Sequence, residues 1–158
     1  MSDRNVFTWS IVTAVLVLAG AFVVPQLSLF ESAKSLIFLT IAVLAYYGED
    51  CYSYMLGIVY PPLWFVVDIA VGAFGHDFKI LADFFSGQTI TFVETPLHAI
   101  GRLTAILVFV AALRAWRREV PERFWGRTFW VCAVISIAYV GVLTLWYLRL
   151  FSQRGQMP

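Results

Sequence analysis

Asp68 stands inside the apolar run Trp64-Phe65-Val66-Val67-Asp68-Ile69-Ala70-Val71. An ionisable side chain at membrane depth is costly unless it is paired or neutral, so it marks either function or a specific helix contact. Two further ionisable residues, His98 and Arg102, open the next apolar stretch one helical turn apart and share a face. Together Asp68, His98 and Arg102 make a candidate intramembrane polar cluster. Counting inward at 1.5 Å per residue puts Asp68 roughly 12 Å below His76, and Arg102 roughly 10 Å below Pro96. Neighbouring helices would therefore bring Asp68 and Arg102 to similar depth. Such a pair either holds a helix interface or lines a polar pocket or proton path.

The two histidines allow other chemistry. His76 and His98 near adjacent helix ends can ligate a haem iron axially. His76, Asp77, Glu94 and His98 offer a donor set for zinc, copper or iron. Glu94 and His98 are four apart in number, but Thr95-Pro96 interrupts the helix between them. Both histidines are equally explained as polar residues at a membrane surface. Glu49 and Asp50 form a second acidic site, read either as a tight turn or, within one long helix, as buried acids. Tyr46, Tyr47, Tyr52 and Tyr54 flank them, as in an interfacial aromatic belt.

The elements that must carry these residues are helices in lipid. The chain of 158 residues is 61% hydrophobic and only 13% charged, where soluble domains carry about 25% charged residues. Nothing charged occurs between Val6 and Phe30 or between Thr128 and Leu148. Stretches of that length can cross a hydrocarbon core of about 30 Å. The expected fold is all-α: one compact integral membrane bundle of five transmembrane helices, or of four plus a re-entrant segment. The five spans run about 7–27, 32–48, 53–75, 96–115 and 128–148. An outer polar loop covers 76–95 and a cytoplasmic arginine-rich loop covers 116–127.

Individual signals set these limits. Arg4 ahead of an apolar stretch resembles a signal peptide, but Asp3 accompanies it and the stretch continues past Ala21, so it reads as an uncleaved span. The second span is difficult, because Ser35 to Tyr47 is apolar but short. Either Gly48-Glu49-Asp50 turns the chain, or one long helix continues and Pro61-Pro62 starts a re-entrant piece. Two adjacent prolines remove two backbone donors and restrict the residue before each, which predicts a kink or a break. Gly72, between Asp68 and His76 at spacing four, leaves room beside the acid, and Gly101 with Ala105 permits close helix approach. Phe78 to Phe85 fits a short helix lying in the interface, closed by the turn signal Ser86-Gly87-Gln88. Thr95 followed by Pro96 fits a helix start.

Arg114, Arg117, Arg118, Arg123 and Arg127 crowd one short connection and place it on the cytoplasmic side of a plasma membrane. Five spans then put the N-terminus inside and the C-terminus outside. Basic residues divide equally well under four spans, so charge alone does not choose.

Several functions are excluded or disfavoured. There is no Gly-rich phosphate loop, HExxH or GxSxG motif, and no carboxylate pair at helical spacing. A nucleotide-driven soluble machine is excluded for this chain alone. The basic residues are explained by topology, so nucleic acid is not an expected partner. Cys51 and Cys132 form no CxxC and read as buried thiols. Three functions stay open. The first is a small integral subunit of a larger membrane complex, with membrane lipid and other membrane subunits or a second copy as partners. The second is a proton or small-ion carrier or channel using Asp68 and Arg102. The third is a haem- or metal-dependent redox protein using His76 and His98.

Overall fold

The computed structural model describes residues 4–23, 28–70, 73–87 and 96–154. They form six helices, with no strand among the described residues: α1 (Arg4–Val23), α2 (Ser28–Tyr47), α3 (Asp50–Ala70), α4 (Ala73–Phe85), α5 (Pro96–Glu119) and α6 (Arg127–Arg154). By length and composition α1, α3, α5 and α6 can each cross a membrane, while the apolar part of α2 is shorter, Ser32–Tyr47. The molecule is an all-helical bundle with the content of a multi-pass membrane protein.

The α2–α3 connection resolves the choice left open around Gly48. Gly48 takes φ 83°, a left-handed conformation that a side chain would strain. The Glu49 N–H then donates to the Leu44 carbonyl at 2.9 Å, which satisfies an orphan carbonyl at the end of α2. The Glu49 carbonyl in turn accepts from the Ser53 N–H at 3.0 Å as α3 begins. The chain therefore reverses here, and the long helix that would carry Glu49 and Asp50 inward does not form.

Pro61 and Pro62 lie inside α3, and the helix runs through them without a break. Among the described residues α3 is a single helix long and apolar enough to cross, so the alternative, a re-entrant piece starting at Pro61-Pro62, does not form. The Pro61 ring is fully buried. Tyr60 and Trp64, on either side of the pair, pack with Phe38 of α2 at ring separations of 5.4 and 5.6 Å. Freed carbonyls cost less where neighbouring helices enclose them, which is how membrane helices tolerate proline.

α3 and α5 form the centre, each with 56% of its apolar window buried, whereas α6 buries only 17% and lies at the periphery. Small residues set the close approaches. A Cβ on Gly57 of α3 would come within 2.8 Å of the Ala112 Cβ of α5. A Cβ on Gly101 would meet Val17 of α1 at 3.1 Å. Gly101 thus serves the contact between α5 and α1, and the tight α3–α5 approach lies at Gly57. Gly72, expected to give room on the Asp68 face, lies outside the described residues.

Hydroxyls tie the helices where apolar packing alone gives little specificity in lipid. Thr13 of α1 donates to Thr104 of α5 at 2.9 Å, and Thr104 donates to the Gly101 carbonyl at 2.8 Å. Ser53 of α3 donates to the Ile41 carbonyl of α2 at 3.0 Å. The Tyr139 hydroxyl of α6 donates to the Ala33 carbonyl of α2. Tyr54 of α3 donates to the Glu119 carboxylate at the end of α5 at 2.5 Å.

Two expected connections are shorter than the sequence suggests. Helix α4 runs from Ala73 to Phe85, so the first half of the expected 76–95 loop is helical and His76 lies within that helix. It ends where Gly87 takes φ 71°. The expected 116–127 loop shrinks to 120–126, because α5 continues to Glu119. Trp116, Phe124 and Phe129 pack together across it.

Candidate functional site

Asp68 lies in the last turn of α3, and Arg102 lies in the second turn of α5. The packing of these two helices brings them together, with Arg102 Nε 2.8 Å from Asp68 Oδ2. Asp68 is 6% and Arg102 5% exposed. Two unit charges so placed attract strongly in a poor dielectric, and each alone would carry several kcal/mol of desolvation.

The pair is not sealed between helices. It lines a cavity of about 60 Å³ bounded by α2, α3, α5 and α6. A water needs about 10–15 Å³ of such space, so a few waters or one small polar group would fit. The other polar lining comes from Lys34, Tyr60, Trp64, Thr144 and Tyr147, and the rest of the wall is apolar. Lys34 is 9% exposed, with its ammonium 4.7 Å above the Phe30 ring. The Trp64 indole N–H is buried with no hydrogen-bond partner. Thr144 has its hydroxyl committed to the Val140 carbonyl at 2.8 Å. Lys34, Asp68 and Arg102 sit near the helix ends opposite the arginine-rich connection, while Tyr60 lies midway along α3.

No family model, no curated protein and no solved structure matches this chain.

The remaining candidate residues are distributed as follows. His98 belongs to α5, one turn before Arg102, but its side chain lies outside what the structure describes. The same holds for the side chains of His76 and Asp77 in α4 and for the whole of Glu94. The haem and metal readings rest on these residues. Among the described residues no three His, Cys, Asp or Glu side chains cluster as a metal site. Asp68 and His76 occupy different helices, so the single stacked face expected through position 72 is replaced by two elements. Glu49 is exposed at the α2–α3 turn, and Asp50 starts α3 with one carboxylate oxygen buried and without a hydrogen-bond partner.

Lys34 and Trp64 line the cavity although neither belongs to the polar cluster expected from the sequence. Lys34 precedes the apolar run from Ser35, at the edge of the expected 32–48 span. A signal was present: Ser28-Leu29-Phe30-Glu31 has the S-x-x-E pattern of a helix start. Starting α2 there puts Lys34 inside the helix. Trp64 had no comparable signal, since a tryptophan in an apolar run reads as core.

Chemically, the described residues of the site join one carboxylate and two cations to a small, largely apolar cavity that also carries N–H and O–H donors. A proton arriving there has Asp68 as acceptor. Once Asp68 is neutral, the Arg102 guanidinium needs another acceptor. A small anion in the cavity meets that need.

Proposed function

We propose that this protein is a small membrane carrier or channel in which Asp68 and Arg102 handle a proton or a small anion. One observation carries the reading: the buried ion pair opens on a cavity instead of being packed over. The space beside the pair lets water or a small ion reach both charges, which a pair packed over on every side would not allow. The unpartnered Trp64 N–H in the same wall supports the reading, since buried donors are ordinarily satisfied.

The topology that goes with it has five crossings. α2 spans about 30 Å at 20 residues despite its shorter apolar part. The arginine-rich connection faces the cytoplasm, the N-terminus is inside and the C-terminus outside. The Asp68–Arg102 cavity then belongs to the outer half of the membrane, and α4 lies along the outer surface.

The subunit reading takes second place for a physical reason. Asp68 and Arg102 neutralise each other within one chain, so neither needs a partner protein to supply its counter-charge. The exposed face of α6, with Trp130, Val134, Ile137 and Leu145, suits lipid as well as a neighbouring subunit.

The test is ion flux in liposomes. Purified protein, reconstituted with an internal pH dye, should move protons at a rate that depends on the small anion supplied. Asp68→Asn should abolish the proton movement. Wild-type protein that leaves empty-liposome rates unchanged for protons and for chloride, nitrate and formate overturns the proposal.

A further inference from the structure

A second recess lies at the other end of the bundle, between α1 and α5. Asn5 and Trp9 of α1 face Leu107, Val110, Arg114 and Arg118 of α5 across a groove of about 390 Å³. Ligand sites commonly measure about 300–1,000 Å³. The groove is graded along its length. Arg114 and Arg118 are four residues apart, one turn, so they project from the same side of α5. Both are exposed. Leu107 and Val110 lie one to two turns deeper on α5, and the Trp9 ring forms the opposite wall. A charged mouth with an apolar floor matches a molecule carrying a phosphate and a hydrocarbon chain.

From this gradient we infer that the α1–α5 groove holds one anionic phospholipid. Its phosphodiester lies against the Arg114 and Arg118 guanidiniums, and an acyl chain runs along Leu107, Val110 and Trp9. Guanidinium donors pair with phosphate oxygens through two parallel hydrogen bonds, more selectively than a bare positive charge does. The C-terminal end of α5 carries partial negative charge, which acts against an anion here, so the two guanidiniums must outweigh it; the N-terminal end of α1 at Asn5 acts in favour. Basic pockets between membrane helices on the cytoplasmic side are suited to anionic headgroups. The groove is separate from the Asp68 cavity and stands whether or not that cavity moves ions.

The experiment is lipid binding to the full-length protein, measured by native mass spectrometry from detergent and checked in phosphatidylcholine nanodiscs doped with phosphatidylglycerol. The wild type should retain one phosphatidylglycerol in preference to phosphatidylcholine. Arg114→Gln with Arg118→Gln should weaken that binding roughly thirtyfold, the ordinary worth of two basic residues at an anionic surface. Arg123→Gln with Arg127→Gln removes the same charge from the neighbouring connection and should leave binding unchanged. If the double variant in the groove fails to fold, Arg118→Gln alone should still lower retention roughly fivefold. Equal loss in both pairs would reduce the effect to general charge and overturn the inference. So would unchanged binding in the groove variants. Displacement of the lipid by millimolar inorganic phosphate would show a free-anion site and also contradict it.

Discussion

Removing the Asp68 carboxylate leaves the Arg102 guanidinium buried with its charge uncompensated. Asp68→Asn and Arg102→Gln should each lower stability by about 3–5 kcal/mol, the usual result of breaking a buried pair. Thermal unfolding in detergent measures this, and a loss below about 1 kcal/mol would mean the pair is hydrated enough to act as a surface contact. The pairing itself was legible in the sequence, because both residues could be counted inward from the ends of apolar stretches. What was not legible was the cavity beside it. Cavity walls come from four helices, and no single stretch of sequence shows which faces will meet. Lys34 was not legible as a lining residue for a local reason: its helix starts before the apolar run does.

At the scale of elements, glycine positions decide how closely the helices approach. Gly57→Val should destabilise by about 1–3 kcal/mol through overpacking, since even a methyl group would sit 2.8 Å from Ala112. Gly141 is the appropriate control, because nothing lies within 4 Å of a Cβ there. Gly48→Ala meets no neighbour but must adopt φ 83°, at about 1–2 kcal/mol. Chemical denaturation of the three variants should rank Gly141→Ala as least affected, and any other order would overturn the packing account. Helix identity and approximate limits were readable from hydropathy. Close approach at Gly101 was readable, but not that α1 would be the helix it meets, because a small residue signals close approach without naming the neighbour. The third span was expected to run through Pro61-Pro62, as α3 does, but with a kink or a break there, and no break occurs. Local chemistry argues for a break there, and packing of Tyr60 and Trp64 on Phe38 overrides it.

For the whole molecule, the proposed five crossings place the Gly87 end of α4 outside and the 120–126 connection inside. With Cys51 and Cys132 replaced by serine and alanine, a cysteine at Ser86 should react with an impermeant maleimide on intact cells. A cysteine at Arg123 should react only after lysis. Labelling of both, or of neither, on intact cells would remove the topology. Composition made the membrane character clear. The number of crossings was less clear, because α2 carries Glu31 and Lys34 in its first two turns and its apolar length falls short on its own.

The central claim is that the Asp68–Arg102 pair works on ions as well as holding helices together. Asp68→Leu with Arg102→Met tests it, because swapping both charges for apolar groups can be neutral or stabilising for the fold. The measurement is ion flux and melting temperature on one reconstituted preparation of this double variant. The account predicts a melting temperature near that of the wild type with proton and anion flux reduced to the empty-liposome rate. Flux kept at the wild-type level in the stable double variant would contradict it.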